Sequence, residues 1–317
     1  MAVMRLRVVS PDETAEQVTA LLAANPCVLN LAVSSAGVRN PDGAALHCDV
    51  LTGALNDVLA DLCRLDVDKH GSIMVEDVEL AMCDRAAEVE SLLLRKRANA
   101  PVWRTLDARI AADARYVPSF FLLLVIAGVI GAVGIITNSQ ILIVAAMVVG
   151  PEFGAIASVA AGFDRHAGAT IRRGLFALTV GFLLAVIATL AFALVVRGFG
   201  LQPKAFTLGV RPVSDLINTP NFFSVVVAVL AGIVGIVSLA QSRASALLGV
   251  FISVTTIPAA ADIGVSCAFS SWSEARGSFF QLLLNVVLLV AMGFLTLRVQ
   301  RAVWRRIDRR EMKGTGR

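Results

Sequence analysis

The sequence predicts an α-helical polytopic membrane protein behind a small α+β domain, with six spans arranged as two inverted three-helix repeats. Three observations predict it. The 317 residues are 57% hydrophobic, too apolar for an ordinary soluble chain. Charge is unevenly divided: residues 1–117 hold 12 Lys/Arg against 17 Asp/Glu, whereas residues 118–317 hold 16 against 7. Two glycine-bearing stretches also recur at an offset of 104, Gly128, Gly131 and Gly134 in the first and Gly232, Gly235 and Ser238 in the second. Each stretch is followed by a polar turn, an apolar run interrupted by proline (Pro151, Pro258), and an Arg-Gly pair (Arg173-Gly174, Arg276-Gly277) opening a third apolar run. Three passes per copy place the copies in opposite orientations, a transporter signature.

Residues 1–80 read as β-α-β-β-α-β. Met4 to Val8 alternate as a strand, and Ser10-Pro11-Asp12-Glu13 opens a helix whose face carries Val18, Leu21 and Leu22. Leu29, Leu31 and Val33 alternate again. Asn40-Pro41-Asp42-Gly43 is a turn signal leading to a hairpin partner with Leu46, Cys48 and Val50. Leu55, Val58, Leu59 and Leu62 recur at helical spacing, and Ile73 and Val75 begin a last strand. This order suggests a ferredoxin-like, ACT-like sandwich, a fold that hosts many functions. Cys27, Cys48, Cys63 and Cys83 lack metal or redox spacing and read as reduced core cysteines of a cytosolic domain; no cleavable signal peptide is visible.

Residues 81–117 read as amphipathic helix. Val89, Leu92 and Leu93 form one stripe, and Val102, Leu106 and Ile110 another, with Trp103 and Arg104, Arg109 and Arg115 beside it. That composition suits a helix at the membrane surface, or a connecting helix packed on the small domain.

The membrane domain is expected over 118–300, with repeat one at 118–197 and repeat two at 222–300. Its apolar runs are 118–137, 140–163, 174–196, 222–241, 245–269 and 277–297. Each is near or above the roughly 20 residues that cross a bilayer. Asn138-Ser139 separates the first two. Arg165, Arg172, Arg173, Arg243 and the basic tail at 301–317 fall on one side of a six-span scheme, against Arg197, Lys204, Arg211 and Arg276 on the other, so both termini are expected in the cytoplasm. These membrane-flanking arginines account for the pI near 9, and no nucleic-acid partner is read from it.

The chemistry is expected at two interruptions. Glu152 lies mid-span within Gly150-Pro151-Glu152-Phe153-Gly154, where proline and glycine break a helix. An acid at mid-depth costs about 2.5–3.5 kcal/mol on insertion scales, which points to a proton carrier, cation ligand or substrate contact. Copy two offers Thr255, Thr256, Pro258 and Asp262. Pro258 reads as the counterpart of Pro151, at an offset of 107 that a short insertion explains; Glu152 and Asp262 are then not counterparts, and Asp262 reads as nearer the outer end of its span. Gln281 and Asn285 share a helical face as path lining or interhelical glue, and Asn138 joins the candidate set from the polar turn. No enzyme constellation, P-loop or zinc motif is present.

The run Thr137-Asn138-Ser139, followed by Ala145-Ala146-Met147-Val148-Val149-Gly150-Pro151, resembles a bacterial and archaeal family of hydrophobic membrane proteins known as domain of unknown function 389. The resemblance covers roughly 118–300 and implies a multi-pass protein of the bacterial inner membrane. This chain places Glu152 where an apolar residue is common in that family, and Asp262 where a neutral polar residue is expected. The expected function is secondary transport of a small solute, an anion or carboxylate among the candidates, with sodium or a proton as coupling ion and no other cofactor. The lipid bilayer, the solute and further copies of the chain are the expected partners, the sandwich regulating or oligomerising. A channel and a non-transporting membrane sensor or scaffold are the alternatives.

Overall fold

The computed structural model describes residues 3–39, 42–78, 83–93, 100–114, 116–241 and 256–314. The chain divides into two compact units, residues 1–107 with 302–317, and residues 108–301.

In the first unit the order is β1 (Val3–Ser10), α1 (Asp12–Ala24), β2 (Val28–Arg39), β3 (Asp42–Leu51), α2 (Thr52–Arg64), a single turn α3 (Val67–His70) and β4 (Ser72–Asp77). The sheet order is β2-β3-β1-β4, and every neighbouring pair is antiparallel. This is the split β-α-β arrangement expected from the alternation pattern. Register explains the core: Leu6 pairs with Cys48 and Val75, and Val8 with Leu46 and Ile73, so one face is apolar. Val18 and Leu22 of α1 and Leu55, Val58, Leu59 and Leu62 of α2 bury against it. The opposite face carries Arg5, whose guanidinium lies 3.3 Å from Asp49.

One strand departs from the expected alternation. Asn30 adopts φ +52° and the β2–β3 register shifts between Leu29 and Ala32. This bulge inserts a residue and switches faces: Leu29 pairs with Asp49 on the Arg5 face and is buried there, whereas Val33 pairs with Leu46 on the apolar face and is 45% exposed. The Asn30 amide donates to Asp49 at 2.8 Å, holding the bulge to β3.

α4 (Asp84–Leu93) and α5 (Trp103–Asp113) come next. Asn56 clamps the entry to α5: its amide donates to the Pro101 carbonyl at 2.9 Å, and its oxygen accepts the Trp103 N–H at 3.1 Å. Val102 belongs to the sandwich core, and Leu106 and Ile110 are also buried.

The second unit contains α6 (Pro118–Ile136), α7 (Gln140–Val149), α8 (Glu152–Asp164), α9 (Gly168–Gly198), the short α10 (Lys204–Thr207) and α11 (Pro212–Asn218), α12 (Phe222–Ala240), α13 (Thr256–Ala268) and, as far as residue 301, α14 (Trp272–Gly314). Four helices, α6, α9, α12 and α14, are long and apolar enough to cross a membrane, or five spans if α7 and α8, bent by 51°, count as one. α13 is a shorter apolar helix. Six spans were expected; the first part of the fifth, including Thr255, and Arg243 in the turn before it lie outside the described residues. Outward positions are large and apolar, such as Leu122, Phe176, Leu183, Leu230, Phe280 and Leu283, the inverse of a soluble surface. Inward positions are small (Ala127, Gly128, Gly131, Ala177, Gly181, Ala185), which lets helix backbones approach. The second unit is therefore a membrane domain.

Helix boundaries recur across this unit. α6 and α12 both have 19 residues, starting at Pro118 and Phe222. α8 starts at Glu152, and the described part of α13 starts at Thr256. α9 and α14 start at Gly168 and Trp272. Each start lies 104 residues after its counterpart, the separation of Glu152 and Thr256. The connecting turns agree in detail: His166 and Ser270 take φ +54° and +62°, and the bonds from Ala167 N to Gly162 O and from Ser271 N to Ser266 O are both 2.8 Å. Packing is exchanged in the same way. Gly264 of α13 lies against Val186 and Leu190 of α9, while Gly293 of α14 lies against Ala160 of α8.

Pro151 precedes α8 as its N-cap, whereas Pro258 lies within α13. The helices that carry the Arg-Gly pairs begin upstream of them, at Gly168 and Trp272.

Candidate functional site

The break between α7 and α8 is built by local sequence. Ser139 caps α7, accepting the Leu142 N–H at 3.5 Å. At the far end of α7, Gly150 takes an extended conformation (φ −68°, ψ 127°) and Pro151 supplies no N–H, so α8 restarts at Glu152 in a new direction. Gly150 has no room for a side chain: a Cβ would lie 2.8 Å from Ile257 Cγ1 and closer still to Glu152 Oε2.

Glu152 therefore occupies the first turn of α8, and Thr256 is the first described residue of α13. The two meet: the Thr256 hydroxyl donates to Glu152 Oε1 at 2.7 Å. Glu152 is 5% exposed and Thr256 fully buried. The second carboxylate oxygen, Oε2, has no hydrogen-bond partner among the described residues. The carboxylate thus sits at the amino terminus of α8 and is bonded to α13. The α8 end carries unsatisfied N–H groups and a partial positive charge, favourable for a negative group.

Asp262 forms a second buried centre. It has no exposed surface. The cause is its neighbours: Ser214 of α11 donates to Oδ1 at 2.7 Å and Ser278 of α14 to Oδ2 at 2.6 Å. Both oxygens are satisfied, which marks a fastening of α11 and α14 onto α13. Beyond it, Arg211 donates to Glu274 at 2.9 Å and to Ser271 at 2.8 Å, its guanidinium 4.2 Å from the Phe206 ring centroid.

Of the remaining candidates, Pro151, Gly150 and Pro258 belong to the Glu152–Thr256 meeting point. The Gly154 carbonyl accepts from Ser158 at 2.9 Å, one turn into α8. Asn138 is elsewhere: it takes φ +54° in the α6–α7 turn and donates to the Val210 carbonyl at 3.2 Å. Asn285 accepts from Gln281 at 3.3 Å, both buried in α14. Thr255 lies outside the described residues. Sequence reasoning missed Ser214 and Ser278, and named Thr256 without its partner; the 104-residue offset of the glycines, applied to Glu152, points to Thr256. No cluster of three His, Cys, Asp or Glu able to hold a metal occurs among the described residues.

No curated protein and no solved structure matches the chain. A family model matches residues 147–291, a stretch that begins in α7, ends in α14 and takes in both buried carboxylates. Over residues 147–291 the resemblance is met: this stretch, which includes the Gly150-Pro151 break but begins after the Asn138-Ser139 turn, matches the family model of the domain of unknown function DUF389.

Proposed function

We propose that the chain is a secondary membrane transporter for a small solute, with ion coupling through Glu152. Its transport domain is two inverted three-pass units, the first made of α6, the broken α7–α8 pair and α9. The shared offset of helix starts and the exchanged packing of α8 and α13 support the duplication. An odd number of passes per unit supports the inversion, and the arginines at 165, 172, 173, 298, 301, 305 and 306 support cytoplasmic termini. The sandwich serves as a regulatory or oligomerising module on the cytoplasmic side, in the manner of ACT-like domains.

One observation carries the reading: a buried carboxylate, one oxygen without a partner among the described residues, sits where α8 restarts after the break and is bonded to Thr256 of α13. Buried charge in hydrocarbon needs a proton, a cation or a dipole to hold it, and a group that exchanges such partners is a coupling element.

The test uses purified protein in sealed vesicles, with proton or sodium gradients imposed and radiolabelled small monocarboxylates outside. Uptake by the wild type follows one gradient. Glu152→Gln, inserted at normal yield, loses that dependence. Uptake by the variant equal to wild type under both gradients refutes the coupling role.

A further inference from the structure

We propose that the membrane domain holds an anionic phospholipid, its phosphate seated in a basic pocket between the ends of α5 and α8 and the start of α9, its acyl chains lying along the outward face of α9. The site is at the opposite end of α8 from Glu152 and is independent of the transport reading.

The pocket has a volume of about 200 Å³ and lies wholly within the second unit. Its wall includes Ile110 and Ala114 at the end of α5, Gly162 near the end of α8, Arg165 in the turn that follows, and Thr170 and Arg173 of α9. At about 30 Å³ for each water-sized group, there is room for a phosphodiester. The wall is fastened: the Ala167 N–H donates to the Gly162 carbonyl at 2.8 Å, and the buried Ser158 hydroxyl donates to the Ile110 carbonyl at 3.3 Å. Two guanidiniums and a hydroxyl are its polar side chains, and no carboxylate among the described residues lines it. Arg173 has no ion-pair partner among the described residues. The first turn of α9 also carries no acid, so its positive dipole end adds to the two cations. α14 contrasts with it: Glu274 stands in its first turn and accepts Arg211 at 2.9 Å. The pocket on α9 has the cations and lacks the anion.

Depth and surroundings select a lipid as the source of that anion. α9 has 31 residues, about 46 Å of helix against about 30 Å of hydrocarbon, so its ends reach the headgroup layer. Arg173 is the last residue before the apolar run that opens at Gly174, the level at which lipid phosphates lie. Phe176, the neighbour of Arg173 one turn further along the helix surface, is 64% exposed, and Leu175 beside it is 44% exposed. A free phosphate would use the basic pocket alone. An anionic phospholipid uses the pocket and the apolar face together, its phosphate oxygens accepting from the two guanidiniums.

The test is lipid binding to the full-length protein in detergent, read as thermal stabilisation and as lipid retained in native mass spectrometry. Phosphatidylglycerol should stabilise saturably and stay bound, and phosphatidylcholine with the same acyl chains should do neither. Arg165→Gln and Arg173→Gln should each weaken phosphatidylglycerol binding by about tenfold, the worth of one charged hydrogen bond. Arg172→Gln is the charge-matched control: it removes a cation from the same turn of α9 but outside the pocket wall, and should leave binding within about twofold of wild type. Should Arg165→Gln fail to fold, the exposed Arg173 and the wild-type comparison of the two lipids still decide. Equal binding of both lipids, or an Arg172→Gln as damaging as Arg173→Gln, overturns the inference. Inorganic phosphate that stabilises as strongly as phosphatidylglycerol at equal concentration overturns the lipid as occupant.

Discussion

Gly264→Ala tests the crossing on which the exchanged packing depends. A Cβ at 264 would lie 2.8 Å from both Leu190 N and Val186 O, and closer to the Thr189 hydroxyl. Two of these atoms are α9 backbone, which cannot swing aside. Restoring ordinary contact requires α9 to move by roughly 0.7 Å or more. Ala185, Thr189 and Ala193 bury α9 at this level, so the shift spreads into its other packing. Overpacking of this kind costs about 1–3 kcal/mol, and the gain from alanine over glycine inside a helix offsets about 1 kcal/mol. With backbone on the opposing side, we expect a net loss of about 2 kcal/mol. Gly293→Ala is the matched control. Its Cβ would lie 3.2 Å from the Ala160 methyl and 3.5 Å from Ile236 Cγ1, both side-chain atoms, so packing cost and helix gain nearly cancel. Adding Thr189→Ala to Gly264→Ala removes the nearest atom but not the backbone, and recovers part of the loss. Thermal and denaturant unfolding of the purified variants in detergent measure this. Gly264→Ala as stable as wild type, or Gly293→Ala as the more damaging change, would refute the reasoning.

Three further outcomes are expected. Asp262→Ala strands the Ser214 and Ser278 hydroxyls in a buried site and destabilises by about 1–3 kcal/mol for each hydroxyl that finds no other acceptor; Asp262→Asn, which still accepts one and can donate to the other, costs less in the same unfolding assay. Asn138→Ala costs about 1–2 kcal/mol because its backbone is left-handed at φ +54°, whereas Asn138→Gly loses only the bond to Val210. In the sandwich, burial and then the neighbouring Asp49 push the Cys48 thiol up to about 11, so it stays protonated at pH 8; alkylation followed by mass spectrometry should find Cys48 modified only as the domain unfolds, and fast native-state labelling would contradict the burial.

Local periodicity carried most of the fold. Leu6, Val8, Leu46 and Cys48 alternate because one face of the sheet is buried, and Leu55, Val58, Leu59 and Leu62 recur at helical spacing because one face of α2 is. The Leu29, Leu31, Val33 alternation broke because Asn30 inserts a bulge that puts Leu29 and Val33 on opposite faces, and nothing in the residues on either side signals a left-handed asparagine. The break at Gly150–Pro151 was legible from backbone chemistry. The Asp262 partners were not legible. Ser214 and Ser278 lie 48 and 16 residues away on other helices, and serines at such distances leave no local pattern.

The Glu152–Thr256 contact has a consequence for the proposed two-fold arrangement. A residue and its counterpart 104 positions later can touch only where the relating axis passes between them. Identical residues there would face each other. Two carboxylates in that position, about 3 Å apart, would repel by about 5 kcal/mol at an effective dielectric of 20, while a carboxylate and a hydroxyl make a hydrogen bond. The halves must therefore differ at this one place, and which half carries the acid matters little to the axis itself. Thr256→Glu alone should destabilise strongly at neutral pH, with stability returning as the medium is acidified and the pair shares a proton. The exchanged pair, Glu152→Thr with Thr256→Glu, should fold nearly as well as wild type and keep gradient-driven uptake in vesicles. An exchange no better folded than Thr256→Glu alone would mean that the two positions are not equivalent, and the axis would have to be abandoned.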